Sequence, residues 1–287
     1  MGSSQLMNRY YLELFGLRVT LLTPFPLKIS QRIQPFLCQP HPETVDCTIC
    51  ISICDTLPQP EGIWHGPDCY LRNGNELIAF HCHESHSMPF AVTRMDGSGN
   101  VQITVLPDYA GYFSGSSGIF NRIGMENMLL QHSGLLLHAS LIEYADRCIA
   151  FTGPSGVGKS TQAQLWQTCL GANILNGDRA AVRNTGTGWM AYGSPYAGTS
   201  GIYKNEQAPL AGIVILRHGK ENSLRPVSFA EAFPCIWPEI SLRRWDEGFV
   251  TRAMELCEKL LADVPLYYFE CLPEESAAHA LKKGLSL

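Results

Sequence analysis

Charge is scarce in this chain. Asp, Glu, Lys and Arg make up 16% of its 287 residues, against about a quarter in ordinary soluble domains. The 21 basic and 26 acidic residues leave a formal charge of −5, with no block of like charge. That argues against phosphate-backbone binding to DNA or RNA, which needs a concentrated basic face. Long apolar runs are missing too. None reaches the ~18–20 residues of a membrane-spanning helix, so no membrane partner is expected. The start, residues 1–19, has no basic stretch followed by a clean apolar core, which predicts no secretory signal and a cytoplasmic location. No internal repeat or low-complexity tract is present. Cysteine is too dilute for a disulfide scaffold, and the eleven thiols are odd in number, so they read as reduced. What the chain has in quantity is apolar: 45% of residues are hydrophobic. That is enough to bury a core and excludes wholesale disorder. The length suits one large domain or two ordinary ones.

Two textures divide the chain. Residues 1–128 hold short β-type runs, among them residues 17–23, 47–53, 69–82, 90–95 and 101–107, punctuated by turn signals. Asn73-Gly74 between two apolar runs predicts a hairpin. A mainly β amino-terminal domain follows, its role unassigned. Residues 129–287 alternate strand and helix patterns. The spacing predicts a helix over 121–134, strands over 135–144 and 147–153, a helix ending at Gly171, an apolar strand over 210–218, helical stretches beyond Ser228 and a closing strand and helix. The fold class is therefore α/β, preceded by a β domain.

One motif carries chemistry. Residues 151–161 read FTGPSGVGKST, and Gly153, Gly158, Lys159 and Ser160 satisfy G-x-x-x-x-G-K-[ST], with an apolar strand before and a helix after. Glycines let backbone N–H groups turn inward around phosphate oxygens, and the helix presents its positive end to the same anion. The stretch Gly153, Pro154, Ser155, Gly156, Val157, Gly158, Lys159, Ser160 and Thr161 is thus the predicted nucleotide loop. Lys159 is a cation for the β- and γ-phosphates, and Ser160 is a ligand for Mg²⁺. The next strand ends in Leu175-Asn176-Gly177-Asp178-Arg179. Asp178 at such a carboxyl end is suited to orient Mg²⁺ or take a proton from an attacking hydroxyl; a turn aspartate pairing with Arg179 is the bland alternative. His138, in LLLHAS, taken alone reads as a core histidine.

Together, LHAS, the strand pair, the glycine loop and the acid about twenty residues on resemble the HPr kinase/phosphorylase family, which shares its P-loop fold with PEP carboxykinase. The similarity spans roughly residues 130–287 and is strongest to the shorter serine kinase-like members. It implies a P-loop domain of HPr kinase C-terminal type and an ATP- and Mg²⁺-dependent kinase. The catalytic residues would be Asp178 as base, His138 beside the transferring phosphoryl group, and Lys159. Glu206 would join Ser160 and Asp178 at the metal. The acceptor implied is a hydroxyl, serine on a protein or peptide or free serine, and the family's habit of oligomerising implies a homo-oligomer. Gly177 stands where HPr kinases carry the first acid of a doublet, and the longer HPr-engaging signature is not evident, so the acceptor stays open. The alternative reading is a catalytically weak ATP-binding regulator. A generic NTPase lacks its D-x-x-G switch here, and a PEP carboxykinase lacks its extra metal ligands.

Weaker candidates are Arg243 and Arg244, as charge-neutralising arginines, and Pro195 and Tyr196, as walls of an acceptor pocket. A zinc site from Cys47, Cys50, Cys54, His81, Cys82, His83 and His86 is not expected, because alternation along a strand splits these residues between two faces.

Overall fold

A computed structural model of the chain describes residues 7–40, 45–196 and 198–286. It is a mixed α/β structure with two large sheets, in two compact units. The first unit comprises Met1–Gln131 and Arg244–Glu247, and the second His132–Arg243 and Gly248–Leu287. Among the described residues no helix is long and apolar enough to cross a membrane.

The first unit is built on strands β1 (Asn8–Leu14), β2 (Leu17–Thr23), β3 (Cys47–Ile53), β4 (Ile63–His65), β5 (Asp68–Asn73), β6 (Glu76–His81), β7 (Ala91–Met95) and β8 (Val101–Val105). They form one sheet in the order β1-β2-β3-β8-β7-β6-β5-β4. Strand β3 runs parallel to both neighbours and the other pairs are antiparallel. The Asn73-Gly74 signal lies at the β5–β6 hairpin, where Asn73 pairs with Glu76. Short helices α1 (Ala110–Phe113), α2 (Ser116–Phe120) and α3 (Met125–Gln131) follow. The helix expected from 121 starts only at Met125, because Gly124 takes φ +62° and ends the preceding turn. Residues 244–247 belong to this unit, where Asp246 pairs with Arg72 and Trp245 stacks on Tyr70 at 4.3 Å.

Alternation holds at the start of β3, where Cys47, Ile49 and Ile51 are buried, and fails at its end, where Ile53 is exposed. His81 and Cys82 are both buried because β6 ends at His81. His81 sits in an ionic network. Its Nδ1 lies 3.2 Å from Asp68 Oδ2, which also accepts from Arg122 Nη1 at 2.9 Å, while Nε2 lies 2.8 Å from Thr93 Oγ1. Burial works to raise the Asp68 carboxyl, but hydrogen bonding and charge from His81, the Arg122 guanidinium and the Cys82 amide outweigh it and hold the group below its usual range. A depressed carboxylate contributes stability above its unfolded pKa of ~3.9, and that contribution is lost as pH falls through the folded value. Arg122→Met is therefore expected to destabilise the protein by about 2–3 kcal/mol at neutral pH, under the 3–5 of a fully buried pair because Arg122 is partly solvated. In urea unfolding the gap to the unsubstituted protein should narrow below about pH 4 as Asp68 protonates.

The second unit holds β9 (Gly134–Tyr144), β10 (Arg147–Thr152), α4 (Lys159–Leu170), β11 (Asn173–Asn176), β12 (Arg179–Asn184), β13 (Trp189–Tyr192), β14 (Gln207–His218), β15 (Ser223–Pro226), α5 (Phe229–Ile236), α6 (Glu247–Asp263, its first residue in the other unit), β16 (Leu266–Cys271) and α7 (Glu275–Gly284). Two long strands organise it. β9 pairs with β12 over its first half and with β10 over its second. β14 pairs with β13 at its start and then runs parallel to β10 and β16. The pairings β9-β10-β14-β13-β12 thus close on themselves. Ile149, Phe151, Val214, Leu216 and Phe269 from the sheet pack with Trp166 of α4 and Leu281 of α7 as one buried cluster. That cluster seats α4, and with it the glycine loop. Among the described residues no cysteine is in a disulfide, and burial pushes Cys148 on β10 and Cys257 on α6 up to about 12.

Candidate functional site

The chain leaves β10 at Thr152, turns through residues 153–158 and enters α4 at Lys159. Gly153, Gly156 and Gly158 take φ of +135°, +81° and +104°, values closed to most side-chain-bearing residues. No side chain caps the start of α4, so its first amides are left for an anion. Lys159 is 8% exposed, and its Nζ donates to Gly153 O (2.7 Å) and Pro154 O (3.2 Å). Burial lowers its pKa, against the opposing pull of Glu239 and Asp178. Pro154, Ser155, Gly156, Ser160 and Thr161 are exposed, and Val157 is half-buried.

Pairing of β9 with β10 and β12 brings distant residues to the flank of this loop. Thr152 Oγ1 donates to His138 O (3.1 Å), the Ala139 amide donates to Asp178 O (3.0 Å), and Arg179 stands opposite His138 in the ladder. His138 Nε2 is 3.8 Å from Asp178 Oδ1, and its Nδ1 is 2.7 Å from Glu239 Oε2. Arg179 Nε is 3.8 Å from Asp178 Oδ2, and its guanidinium lies over Tyr196 at 5.4 Å. Beside the loop is a cleft of about 400 Å³ whose lining includes Pro154, Val157, Arg217, His218, Cys235 and Glu239.

Asn176 holds Asp178 in place. It is fully buried. Its Oδ1 accepts from the amides of Asp178 (2.8 Å) and Arg179 (2.7 Å), and its Nδ2 donates to Ser194 O (3.1 Å) and Tyr196 O (2.8 Å). The segment after β13 closes over this turn. A Cβ on Gly177 would stand 2.2 Å from Ser200 Oγ, and one on Gly198 would stand 2.6 Å from Asp178 Cγ. A second acid at position 177 has no room while Ser200 occupies that place. Asn176→Ala orphans two amides and should cost about 2–4 kcal/mol in denaturant unfolding, with nucleotide affinity unchanged.

No protein-family model and no curated protein matches the chain. A solved structure does. The HPr(Ser) kinase/phosphatase from Coxiella burnetii aligns over 53% of this chain and 99% of its own, at 12% identity and a TM-score of 0.30. Likeness at that level carries no argument.

The structure thus gathers His138, Asp178, Lys159 and the loop, and it adds Glu239 and Asn176. Glu239 belongs to a 3-10 turn, Trp237–Glu239, docked on β9 by a bridge between Leu137 and Ile240 and by the Ser241 amide on Leu136 O (2.9 Å). Nothing in its local sequence marks it. Glu206 is engaged at the start of β11. Its carboxylate accepts from the Asn173 side chain at the first residue of β11, whereas Asp178 lies beyond the last. The Gln207–Tyr192 register and the bond from the Gly193 amide to Glu206 O fix its backbone there. Among the described residues no group of three or more His, Cys, Asp or Glu is arranged to hold a metal. Arg243 is half-buried and Arg244 exposed, both in the connection before α6, and Arg244 is grouped with the first unit. Pro195 and Tyr196 lie in the segment over the Asp178 turn, where Tyr196 serves through its carbonyl.

Proposed function

We propose that the second unit is an ATP-dependent phosphotransferase passing the γ-phosphoryl group to a hydroxyl, with serine on a protein or peptide, or free serine, as the favoured acceptor. The observation that carries this reading is the uncapped α4 start behind three positive-φ glycines, with Lys159 at its mouth and His138, Asp178 and Glu239 on its flank. In it the loop amides and Lys159 hold the β- and γ-phosphates, and the chemistry is mainly positioning and charge stabilisation. Ser160 and Asp178 offer hard oxygen donors of the kind Mg²⁺ takes alongside phosphate oxygens and water, so these residues fit it without Glu206. Bound Mg²⁺ supplies neutralisation of the phosphate charge. Eleven cysteines outside any disulfide support a reducing, cytoplasmic setting. The position of Glu206, held by Asn173, favours the second reading, a weakly catalytic ATP-binding regulator with fewer metal ligands.

Incubation with γ-labelled ATP and Mg²⁺ separates the two. Free serine, an HPr protein and a native cell extract serve as acceptors. Label in any acceptor is the expected result. ATP binding with no label in any of them favours the regulator, and absence of ATP binding ends both.

A further inference from the structure

Glu239 sits 101 residues from His138 in sequence, yet its Oε2 is 2.7 Å from the ring's Nδ1. A carboxylate only accepts hydrogen bonds, so Nδ1 carries the proton in this contact. Nε2 is then the ring nitrogen left to face Asp178, 3.8 Å away. Glu239 is well placed to hold the ring, with a side chain only 14% exposed against 36% for His138. The bridge from Leu137 to Ile240 locks its turn to the strand that carries the histidine. Neighbours on the other packed elements complete the surroundings: Lys159 feels the charge of both Glu239 and Asp178, and Arg179 lies beside Asp178.

We infer that Glu239 is the positioning residue of the transfer site, fixing the His138 ring with Nδ1–H held and Nε2 presented to the acceptor hydroxyl. The inference rests on the phosphotransfer reading above. In the step, the acceptor oxygen forms its bond to the γ-phosphorus while the bond from that phosphorus to the bridging oxygen breaks. ADP leaves with the bridging electron pair, and the hydroxyl proton passes to Nε2. The carboxylate behind Nδ1 then stabilises the imidazolium, the division of labour seen where an acid orients a histidine base. Asp178 is freed for the metal and for holding the acceptor.

Two measurements test this. ¹⁵N-histidine NMR of the nucleotide-free protein, recorded well above the ordinary histidine pKa of ~6.5, reads the tautomer, with His138 assigned through His138→Gln. The native ring should be in the Nδ1–H form, and Glu239→Ala should release it toward the Nε2–H form preferred by free imidazole. A native Nε2–H ring, or a tautomer indifferent to Glu239→Ala, overturns the inference. In γ-labelled ATP transfer with free serine as probe, Glu239→Ala should lower turnover about 10–100-fold, the usual effect of removing a histidine's outer partner, with KM for ATP unchanged. Glu239→Asp should recover part of the loss. On a His138→Gln background Glu239→Ala should cost nothing further; an independent loss overturns the inference. Label that never leaves ATP in the unsubstituted protein, with serine, HPr or extract, overturns the proton role together with the phosphotransfer reading. Normal transfer with an unaltered tautomer overturns Glu239's part alone.

Discussion

Alanine at position 159 is expected to weaken ATP binding at least tenfold and to lower phosphoryl transfer about 10³-fold, the scale of losing a group aimed at developing phosphate charge. The size follows from where the ammonium sits. Lys159 is nearly buried and rests on two carbonyls of its own loop. Burial makes it shed its proton more readily than a solvated lysine, despite Glu239 and Asp178. It has carbonyl dipoles for partners, and an incoming triphosphate offers it full negative charge. The same geometry makes the variant a clean one. Removing a partly desolvated cation relieves a cost that offsets the loss of its bonds to the Gly153 and Pro154 carbonyls, so the urea midpoint should change little. Calorimetric titration with ATP checks the first effect and labelled transfer the second. Unchanged affinity in Lys159→Ala would show that the loop does not cradle phosphates.

The second large effect is expected at Asp178. Asparagine keeps the shape and both backbone contacts of the turn, so Asn176 still holds it. It loses the charge that draws Mg²⁺ and the capacity to take a proton. Transfer should fall about 10²–10⁴-fold, while ATP affinity in EDTA stays as before. A magnesium titration divides the roles. If Asp178 acts through the metal, Asp178→Asn should regain activity as Mg²⁺ is raised. If it handles the proton itself, the loss persists at saturation. A variant as active as the parent protein would remove Asp178 from the chemistry.

How much of this could be read from the residues depended on range. The strand–loop–helix around Gly153 and Lys159 is local, written in eleven consecutive residues, and the Asn73-Gly74 hairpin is just as local. Asp178 is legible from its place at a strand's carboxyl end next to the loop, whereas His138 opens to reading only through a resemblance and alone is a core histidine. Glu239 and Asn176 carry no motif. Glu239 reaches the site because Ile240 bridges to Leu137, a pairing that periodicity cannot encode. Asn176 matters because it is buried under Ser194 and Tyr196, which are distant in sequence. Glu206 shows the limit of reading an acid by its nearness to a strand: its carboxylate is engaged by the Asn173 side chain, a partner no local pattern announces. Element edges failed at breakers, as where Gly124 delays α3, and at β15, four residues that offer no alternating apolar pattern.

The tight seat of residues 198–200 on the Asp178 turn also says how this sequence is free to drift. Position 177 is held to glycine by the hydroxyl of Ser200, and position 198 by the carboxylate of Asp178. A lineage that gains a side chain at 177 must first shrink or move residue 200, and one that enlarges 198 displaces the acid itself. What position 177 can carry is therefore set by residue 200, and what position 198 can carry by Asp178.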